Sequence, residues 1–438
     1  MLFRPLERQG RRAIRGHMSN YQASLSFSSL SLENIKAVAK ESPTPLTLQQ
    51  MKTFASNGTE LRLKSAFFLH KELQTRFSRA IVELSELPLG LNQTAPVQAA
   101  IATYTKSFEE LSTMKVPITL EDDVYFTERI AIMKKRGSNL VPLICGGLHE
   151  IKGTAHGKDA LRIQDVQDDL NTRLDTFFLS RMGIRMLIGQ HTKEGGRVKL
   201  NNVEDIVHEA VGRARTLCSK FCGPPPPVVV KVTANGNAPF MYVKSHLHHM
   251  VFEVVKNSMR ATVEHQARRR SQDPLAKCNI KPKSRMNHHS PLLGFVIPDL
   301  DGIDGVTIFP STGVVGSALP PITVVISQGA EDLTIKISDE GGGVPRSEWR
   351  KLWQYTYTTT TDIDPAVFRG EVNFREHFSG GGYGLPIARL FARYFGGEVT
   401  FLSSEGYGSS VFIQAHRLGN KAELVPGHTN FTLQPLTF

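Results

Sequence analysis

The chain has 438 residues, 40% hydrophobic and 21% charged, enough for two or three ordinary domains and unlike disordered, collagenous or fibrous chains. No stretch reaches the roughly 18 uninterrupted apolar residues of a membrane-spanning helix, and four cysteines are too few for a disulfide-built secreted fold, which implies a reducing compartment. A formal charge of +11 raises the question of nucleic acid, but the excess is local.

Part of it sits at the start, where Arg4, Arg8, Arg11, Arg12 and Arg15 face the single acid Glu7 and a Ser-rich run follows from Ser19 to Ser31. That order predicts a mitochondrial transit peptide over residues 1–20; a frayed basic tail is the alternative. Residues 21–214 then form a first domain, helical in period. Periodic segments at 59–86, 95–112, 120–135 and 164–191, separated by short joins, predict a four-helix bundle. In the last segment Leu174, Phe177, Phe178, Ile184 and Ile188 make an apolar stripe that also contains Arg181 and Arg185. Guanidiniums on such a strip need anions, supplied by a neighbouring helix, by a small carboxylate ligand, or by both. Cys218 and Cys222 have the spacing of a metal knuckle, but no second pair accompanies them, so buried helix thiols are expected.

Beyond Pro224–Pro227 the texture changes, and residues 215–438 form a second domain. Strands are predicted at 228–232, 322–327, 333–338, 399–402 and 410–415, with helices at 245–265 and 384–395; together they make an α/β sandwich. Residues 266–320 are rich in Pro, Gly, Ser and basic residues and read as a long flexible insert. Its basic residues, Arg268, Arg269, Arg270, Lys277, Lys281, Lys283 and Arg285, have no interleaved aromatics to stack on bases, so a solvated segment is preferred to a nucleic-acid site.

Three pieces of the second domain carry chemistry. On the helix from Ser245, His249, Glu253 and Asn257 fall at i, i+4 and i+8 and border the stripe of Leu247, Met250, Val251, Val254 and Ala261. A carboxylate, an imidazole and a carboxamide there can act as base, tuning partner and ligand for a hard cation, although such spacing also occurs on solvated faces. Asp339-Glu340-Gly341-Gly342-Gly343 follows a strand, so its Asp is rigidly held and able to accept from an exocyclic amine; a plain turn is the alternative. Ser379-Gly380-Gly381-Gly382-Tyr383-Gly384-Leu385-Pro386 leads into a helix, and backbone N–H groups at a helix N-terminus suit phosphate.

In the order acid-and-amide helix, Asp-x-Gly-x-Gly, Thr-rich loop (Thr356, Thr358 to Thr361) and glycine loop, the chain resembles the ATPase superfamily of histidine kinases, heat-shock chaperones and gyrases. With Phe178 to Ile188, Gln190-His191-Thr192, Ser245 to Glu264 and Gly382 to Phe395, it is more closely similar to the mitochondrial pyruvate dehydrogenase kinases, with the branched-chain 2-oxoacid dehydrogenase kinases as near relatives. The resemblance covers most of residues 21–417 and implies an α + α/β protein: a helical bundle followed by a histidine-kinase-like (Bergerat) ATP-binding sandwich.

It also implies roles. Glu253 would take the proton from a substrate serine, His249 would adjust it, and Asn257 would hold Mg2+. Lys256 and Arg260 would lie around the nucleotide, Asp339 with Ser409 would meet adenine, and Gly341 and Gly343 would shape the pocket floor. Thr358 and Thr359 would belong to a lid, and Gly380, Gly381, Gly382, Tyr383, Gly384 and Leu385 would wrap the triphosphate. The cofactors implied are ATP and Mg2+, with K+ at the nucleotide site. Arg181 and Arg185 match a regulatory pocket for pyruvate-like carboxylates. Departures are Lys134 and Gly137, where the family has Arg and His; Glu340, where many members have Arg; and the end after Arg417, which lacks an Asp-Trp tail. The implied activity is a serine kinase of the mitochondrial matrix that inactivates the decarboxylase subunit of the pyruvate dehydrogenase complex, docks on the lipoyl domain of its acyltransferase core and forms homodimers. The alternatives are the branched-chain complex as substrate, a histidine autokinase using His149 or His191, and a lipoyl-domain scaffold with a decayed ATP site.

Overall fold

The computed structural model describes residues 32–55, 58–233, 238–272, 295–297, 303–310, 319–355, 357–358, 381–428 and 431. The transit-peptide segment, Cys278, Thr356, Thr359 to Thr361, Gly380 and much of the 266–320 insert lie outside the described residues.

The first half is helical: α1 (Leu32–Ala39), α2 (Leu48–Phe54), α3 (Thr59–Ser85), α4 (Ala95–Thr113), α5 (Leu120–Arg136), α6 (Leu140–Gly153), α7 (Ala155–Ala160) and α8 (Gln164–Thr192). The four segments predicted from periodicity correspond to α3, α4, α5 and α8. Their ends follow from local chemistry. Thr119 and Asp122 form a capping box before α5, its first turn holds Glu121 and Asp123 and its last Lys134 to Arg136, matching the helix dipole. α3 is the centre: Ala66, Leu69, Leu73, Phe77, Ala80, Ile81 and Leu84 recur at three- and four-residue steps and are buried. It packs on α1, α4, α5 and α8, while α4 also meets α6 and α5 meets α8. The sequence did not single out α6, because Pro142, Gly146 and Gly147 weaken its helical signal. Gly147 has a packing reason, since a methyl there would lie 2.7 Å from Thr94 Oγ1.

The second half contains β1 (Val198–Asn201), α9 (Val203–Phe221), β2 (Val228–Thr233), β3 (Phe240–Val243), α10 (Lys244–Gln272), β4 (Phe295–Ile297), β5 (Ile303–Phe309), β6 (Ile322–Gln328), β7 (Asp332–Asp339), α11 (Gly384–Arg393), β8 (Glu398–Ser404) and β9 (Gly408–His416). β1 and β3 pair alone; the others form a sheet in the order β4-β5-β2-β6-β7-β9-β8, antiparallel except for β2 with β6. In β7, Leu333, Ile335, Ile337 and Asp339 are buried while Thr334, Lys336 and Ser338 alternate with them on the more open face. α10 and α11 cover the buried face, and α9 packs along α10.

Two expectations are corrected. The insert at 266–320 is not loop throughout: α10 runs on to Gln272, and Ile303–Phe309 pairs with β2 in register from Val228↔Phe309. Asp304 and Gly305 inside the strand, and the Pro- and Gly-rich flanks, hid it because its residues do not alternate cleanly. The domain cut at 214/215 falls inside α9, which is one helix and carries its buried face from Val203 to Cys218.

The two halves are tied by a buried ionic cluster. Arg76 of α3 donates to Glu72 at 2.8 Å and to both oxygens of Glu423 at 3.0 and 2.7 Å, and the Tyr394 hydroxyl also meets Glu423. A methyl at Gly183 of α8 would collide with Arg76. Among the described residues no helix is long and apolar enough to cross a membrane.

Candidate active site

The site is built on α10. Its apolar stripe, with Leu247, Met250, Val251 and Val254 at most 1% exposed, fixes the helix against the sheet and turns Glu253 into a half-enclosed edge where it is 7% exposed. Lys256, one turn on and also buried, places Nζ 2.6 Å from Glu253 Oε2. Burial pushes the Glu253 carboxyl up, but the opposing charges of Lys256, His249 and Arg213 hold it net below the usual glutamate range. The carboxylate is therefore ionised at neutral pH. The His249 ring meets Phe391 of α11 edge-on at 5.2 Å.

Gly384, the first residue of α11, lies directly against this carboxylate: a methyl there would be 2.9 Å from Glu253 Cδ and closer to Oε2. Only glycine lets the helix N-terminus approach so closely, and its partial positive charge adds to the stabilisation of the anion. In the same turn Gly382 has φ +89°, and a methyl on it would meet the backbone of Tyr357, next to Thr358, which is half-buried. Gly381 (φ +66°) and Tyr383, which is buried, complete the described part of the loop, and Leu385 is half-buried.

Asp339 closes the other side. Ser258, adjacent to Asn257 on α10, donates to its Oδ2 at 2.7 Å, and the backbone N–H groups of Gly341 and Ser409 donate to Oδ1 at 2.9 and 3.3 Å. Burial nevertheless raises its pKa, the three donors opposing. Ser409 is the register partner of Asp339 across β7 and β9. A methyl at Gly341 would lie 2.6 Å from Ala261 Cβ, and Ala261, expected in the buried stripe, is half-buried; Gly343 at φ +66° abuts the Ser404 carbonyl. α10 thus joins the carboxylate and amide to both glycine turns. Arg260, half-buried, bonds Glu264 on its own helix at 2.6 Å.

Three residues here were not read from the sequence in these roles. Lys256 was expected near nucleotide and is the ion-pair partner of Glu253. Ser258 holds Asp339, and Gly408 packs under the Asp339 carbonyl, where a side chain would collide. The i+3 spacing from Glu253 was the available signal for Lys256; Ser258 and Gly408 had none.

The donor set suits Mg-nucleotide. Asn257, one turn on from Glu253, is exposed and offers a neutral hard oxygen, which suits a cation that takes few protein ligands and completes its shell with phosphate and water. Among the described residues no cluster of three or more His, Cys, Asp or Glu could hold a metal alone. Cys218 is buried on α9 as expected, whereas Cys222 is half-buried and caps the end of that helix. An open concavity of about 410 Å³ lined by Lys336, Ser338, Trp349 and Phe412 reaches Asp339 and Ser409 but not Glu253, because it lies on the open sheet face.

In the helical half, Arg181 and Arg185 are half-buried. Arg185 donates to the Lys134 carbonyl at 3.1 Å, and Arg181 makes long contacts to Gly137 and Ser138 carbonyls at 3.4 and 3.5 Å. Lys134 and Arg197 converge beside Gly189. His191 is 7% exposed, 2.9 Å from Asp123, and its pKa is lowered by burial, an environment hostile to a phospho-accepting histidine.

Residues 45–194 match the family described as mitochondrial branched-chain alpha-ketoacid dehydrogenase kinase, and residues 313–418 match the histidine kinase-, DNA gyrase B- and HSP90-like ATPases. The chain is 32% identical over 396 residues to a mitochondrial pyruvate dehydrogenase (acetyl-transferring) kinase of Arabidopsis thaliana, covering 87% of this chain and 93% of the relative. It is 33% identical over 400 residues to the human isozyme 1 of that kinase, covering 86% and 78%. With the Drosophila melanogaster kinase it shares 32% over 404 residues, covering 88% and 84%.

Proposed function

The chain belongs to the mitochondrial pyruvate dehydrogenase kinase family, and from that premise we propose that it is a mitochondrial protein-serine kinase that phosphorylates the decarboxylase subunit of the pyruvate dehydrogenase complex and switches it off. The observation that carries this reading is the Glu253 carboxylate, buried, kept ionised by Lys256 and seated on Gly384 at the start of α11. In such a site Glu253 accepts the proton of a serine hydroxyl as its oxygen attacks the γ-phosphorus in line, the bond to the β,γ-bridging oxygen breaks and ADP leaves, and general-base assistance supplies roughly a hundred-fold or more. His249 adjusts Glu253, and Lys256 faces both the base and the incoming phosphates. Asp339 accepts from the adenine amine with Ser409 beside the ring. Gly341 and Gly343 leave the floor open, and Arg260 flanks the nucleotide. The turn from Gly380 to Leu385 wraps the triphosphate, while Thr358 and Thr359 close over it. Magnesium at Asn257 supplies charge neutralisation on the phosphates when bound, and potassium at the nucleotide belongs to the same reading.

Docking on the lipoyl domain of the acyltransferase core, a matrix location and pairing of two copies through their ATP-binding sheets complete the proposal, with Arg181 and Arg185 as a regulatory carboxylate pocket. The test is incubation with labelled ATP and both purified dehydrogenase complexes, using wild type and Glu253→Gln. Label should enter the pyruvate dehydrogenase decarboxylase subunit, and the variant should bind Mg-ATP yet lose transfer. Undiminished transfer by the variant overturns the base assignment. Label confined to the branched-chain complex favours that substrate, which the match of residues 45–194 keeps as the second reading.

A further inference from the structure

Tyr355 meets a carboxylate 180 positions away in sequence: its hydroxyl donates to Asp175 Oδ1 at 2.5 Å. Its backbone N–H donates to Asn171 Oδ1 at 3.3 Å, while Gln354 Nε2 donates to Gln167 Oε1 at 2.8 Å and Arg350 Nη2 to Asp168 Oδ2 at 2.5 Å. Gln167, Asn171, Asp175 and Phe178 recur at every third or fourth position, so one face of α8 grips the whole segment from Arg350 to Tyr355. The Tyr355 ring is 1% exposed and lies 5.2 Å from Phe178 on one side and 5.7 Å from Tyr383 on the other. Tyr383 immediately precedes Gly384, which sits against Glu253, and Tyr357 backs Gly382. Direct contacts therefore run from α8 through Tyr355 and Tyr383 to the glycine turn.

Packing alone does not call for these groups. Burial pushes the Asp175 carboxyl up to about 6, against the Tyr355 hydroxyl, Arg393 and Arg389, and an apolar pair of similar volume would fill the same space without desolvating a carboxylate and a phenol. What Asp175 and Tyr355 provide instead is a directional link from the helical half to the loop that handles phosphate.

We propose that Tyr355 is a positioning residue for phosphoryl transfer: clamped to α8 by Asp175, it holds the Gly381–Gly384 turn in the conformation that wraps the nucleotide phosphates. This rests on the kinase reading of the Glu253 site. Because α8 also carries Arg181 and Arg185, the same link makes the helical half a determinant of nucleotide affinity.

The experiment uses the full chain as wild type, Tyr355→Phe, Asp175→Asn and the double variant. Mg-ADP is titrated without protein substrate, steady-state kinetics are then measured with the intact pyruvate dehydrogenase complex, and thermal unfolding is followed in parallel. Each single variant should weaken Mg-ADP binding and raise KM for ATP by roughly fivefold or more, the effect of losing one hydrogen bond to a charged group, with kcat changed less than about twofold. The double variant should be no weaker than the singles, since both remove the same bond. A lowered melting temperature with unmoved Mg-ADP affinity and KM overturns the proposal and leaves a structural bond only. Should Tyr355→Phe fail to fold, Asp175→Asn, which keeps shape and volume, decides by the same constants. A wild-type chain that does not bind Mg-ADP at all sinks the kinase reading instead.

Discussion

Gly384→Ala separates catalysis from stability at one atom. The added methyl would lie 2.9 Å from Glu253 Cδ and closer still to Oε2, so either α11 or the carboxylate has to retreat by about 1 Å to reach ordinary van der Waals separation. The glutamate yields more easily, because α11 is fixed by Leu390, Ala392 and Ala388, all at most 1% exposed. The cost to folding is therefore small, and alanine in the first turn offsets part of it by restricting the unfolded chain, leaving stability within about 1 kcal/mol of wild type. Catalysis is less forgiving: a 1 Å misplacement of a reacting group costs on the order of a hundred-fold, about 2.7 kcal/mol in barrier. The assay is single-turnover phosphorylation of the dehydrogenase complex at saturating Mg-ATP, with urea unfolding alongside. In a Glu253→Gln background the same substitution should add little, because the base is already gone. A Gly384→Ala enzyme with kcat within threefold of wild type would refute the claim that this contact sets the base.

Asp339→Asn replaces a carboxylate that receives three donors by an amide whose nitrogen cannot accept from Ser258 or Gly341. It should weaken Mg-ADP by about ten-fold or more and destabilise the fold by roughly 1 to 3 kcal/mol, read by nucleotide titration and by urea denaturation. Glu83, whose buried Oε2 finds no hydrogen-bond partner among the described residues and whose pKa burial raises to about 7 against the Ser180 bond, gives a pH signature. A carboxyl raised above its unfolded value binds more protons in the folded state, so it contributes stability at low pH that is lost as pH climbs from about 4.5 through 7. Glu83→Gln should gain on wild type by on the order of 2 kcal/mol between pH 5 and pH 8; parallel stability curves would dismiss the shift.

Sequence periodicity exposed the elements whose pattern is long and clean. The helices at 59–85, 95–113, 120–136 and 164–192 each span four turns or more with buried residues at three- and four-residue steps, and β7 alternates strictly from Leu333 to Asp339. It missed elements whose signal is overwritten by packing or by flanks, such as α6 with its close-approach Gly147 and β5 inside a Pro- and Gly-rich stretch. Of the site, Glu253, Asn257, Asp339 and the glycine turns were legible because their chemistry is local. Lys256 was expected at the nucleotide, and its pairing with Glu253 was not read, since spacing allows several rotamers. The Tyr355–Asp175 link was invisible, because nothing in one stretch of chain announces a partner 180 residues away.

The two arginines of α8 show how far the sequence carries and where geometry takes over. Their place in an apolar stripe required anionic partners, and the partners the structure gives include the carbonyls at the C-terminal end of α5, which hold only about half a negative charge between them. Arg181, Arg185, Arg197 and Lys134 gather around that end. Cation repulsion is felt at Lys134, whose pKa is lowered to about 8 by burial and then by Arg197, Arg185 and Lys193. A bound carboxylate would relieve this repulsion and raise the Lys134 pKa, so by linkage binding takes up a proton and tightens as pH falls through about 8. Calorimetric titration of pyruvate in two buffers of different ionisation enthalpy should show that uptake in the wild type and its loss in Lys134→Met. Equal proton uptake in both proteins, or tighter binding as pH rises, would remove Lys134 from the pocket and with it the reason the departure from Arg matters.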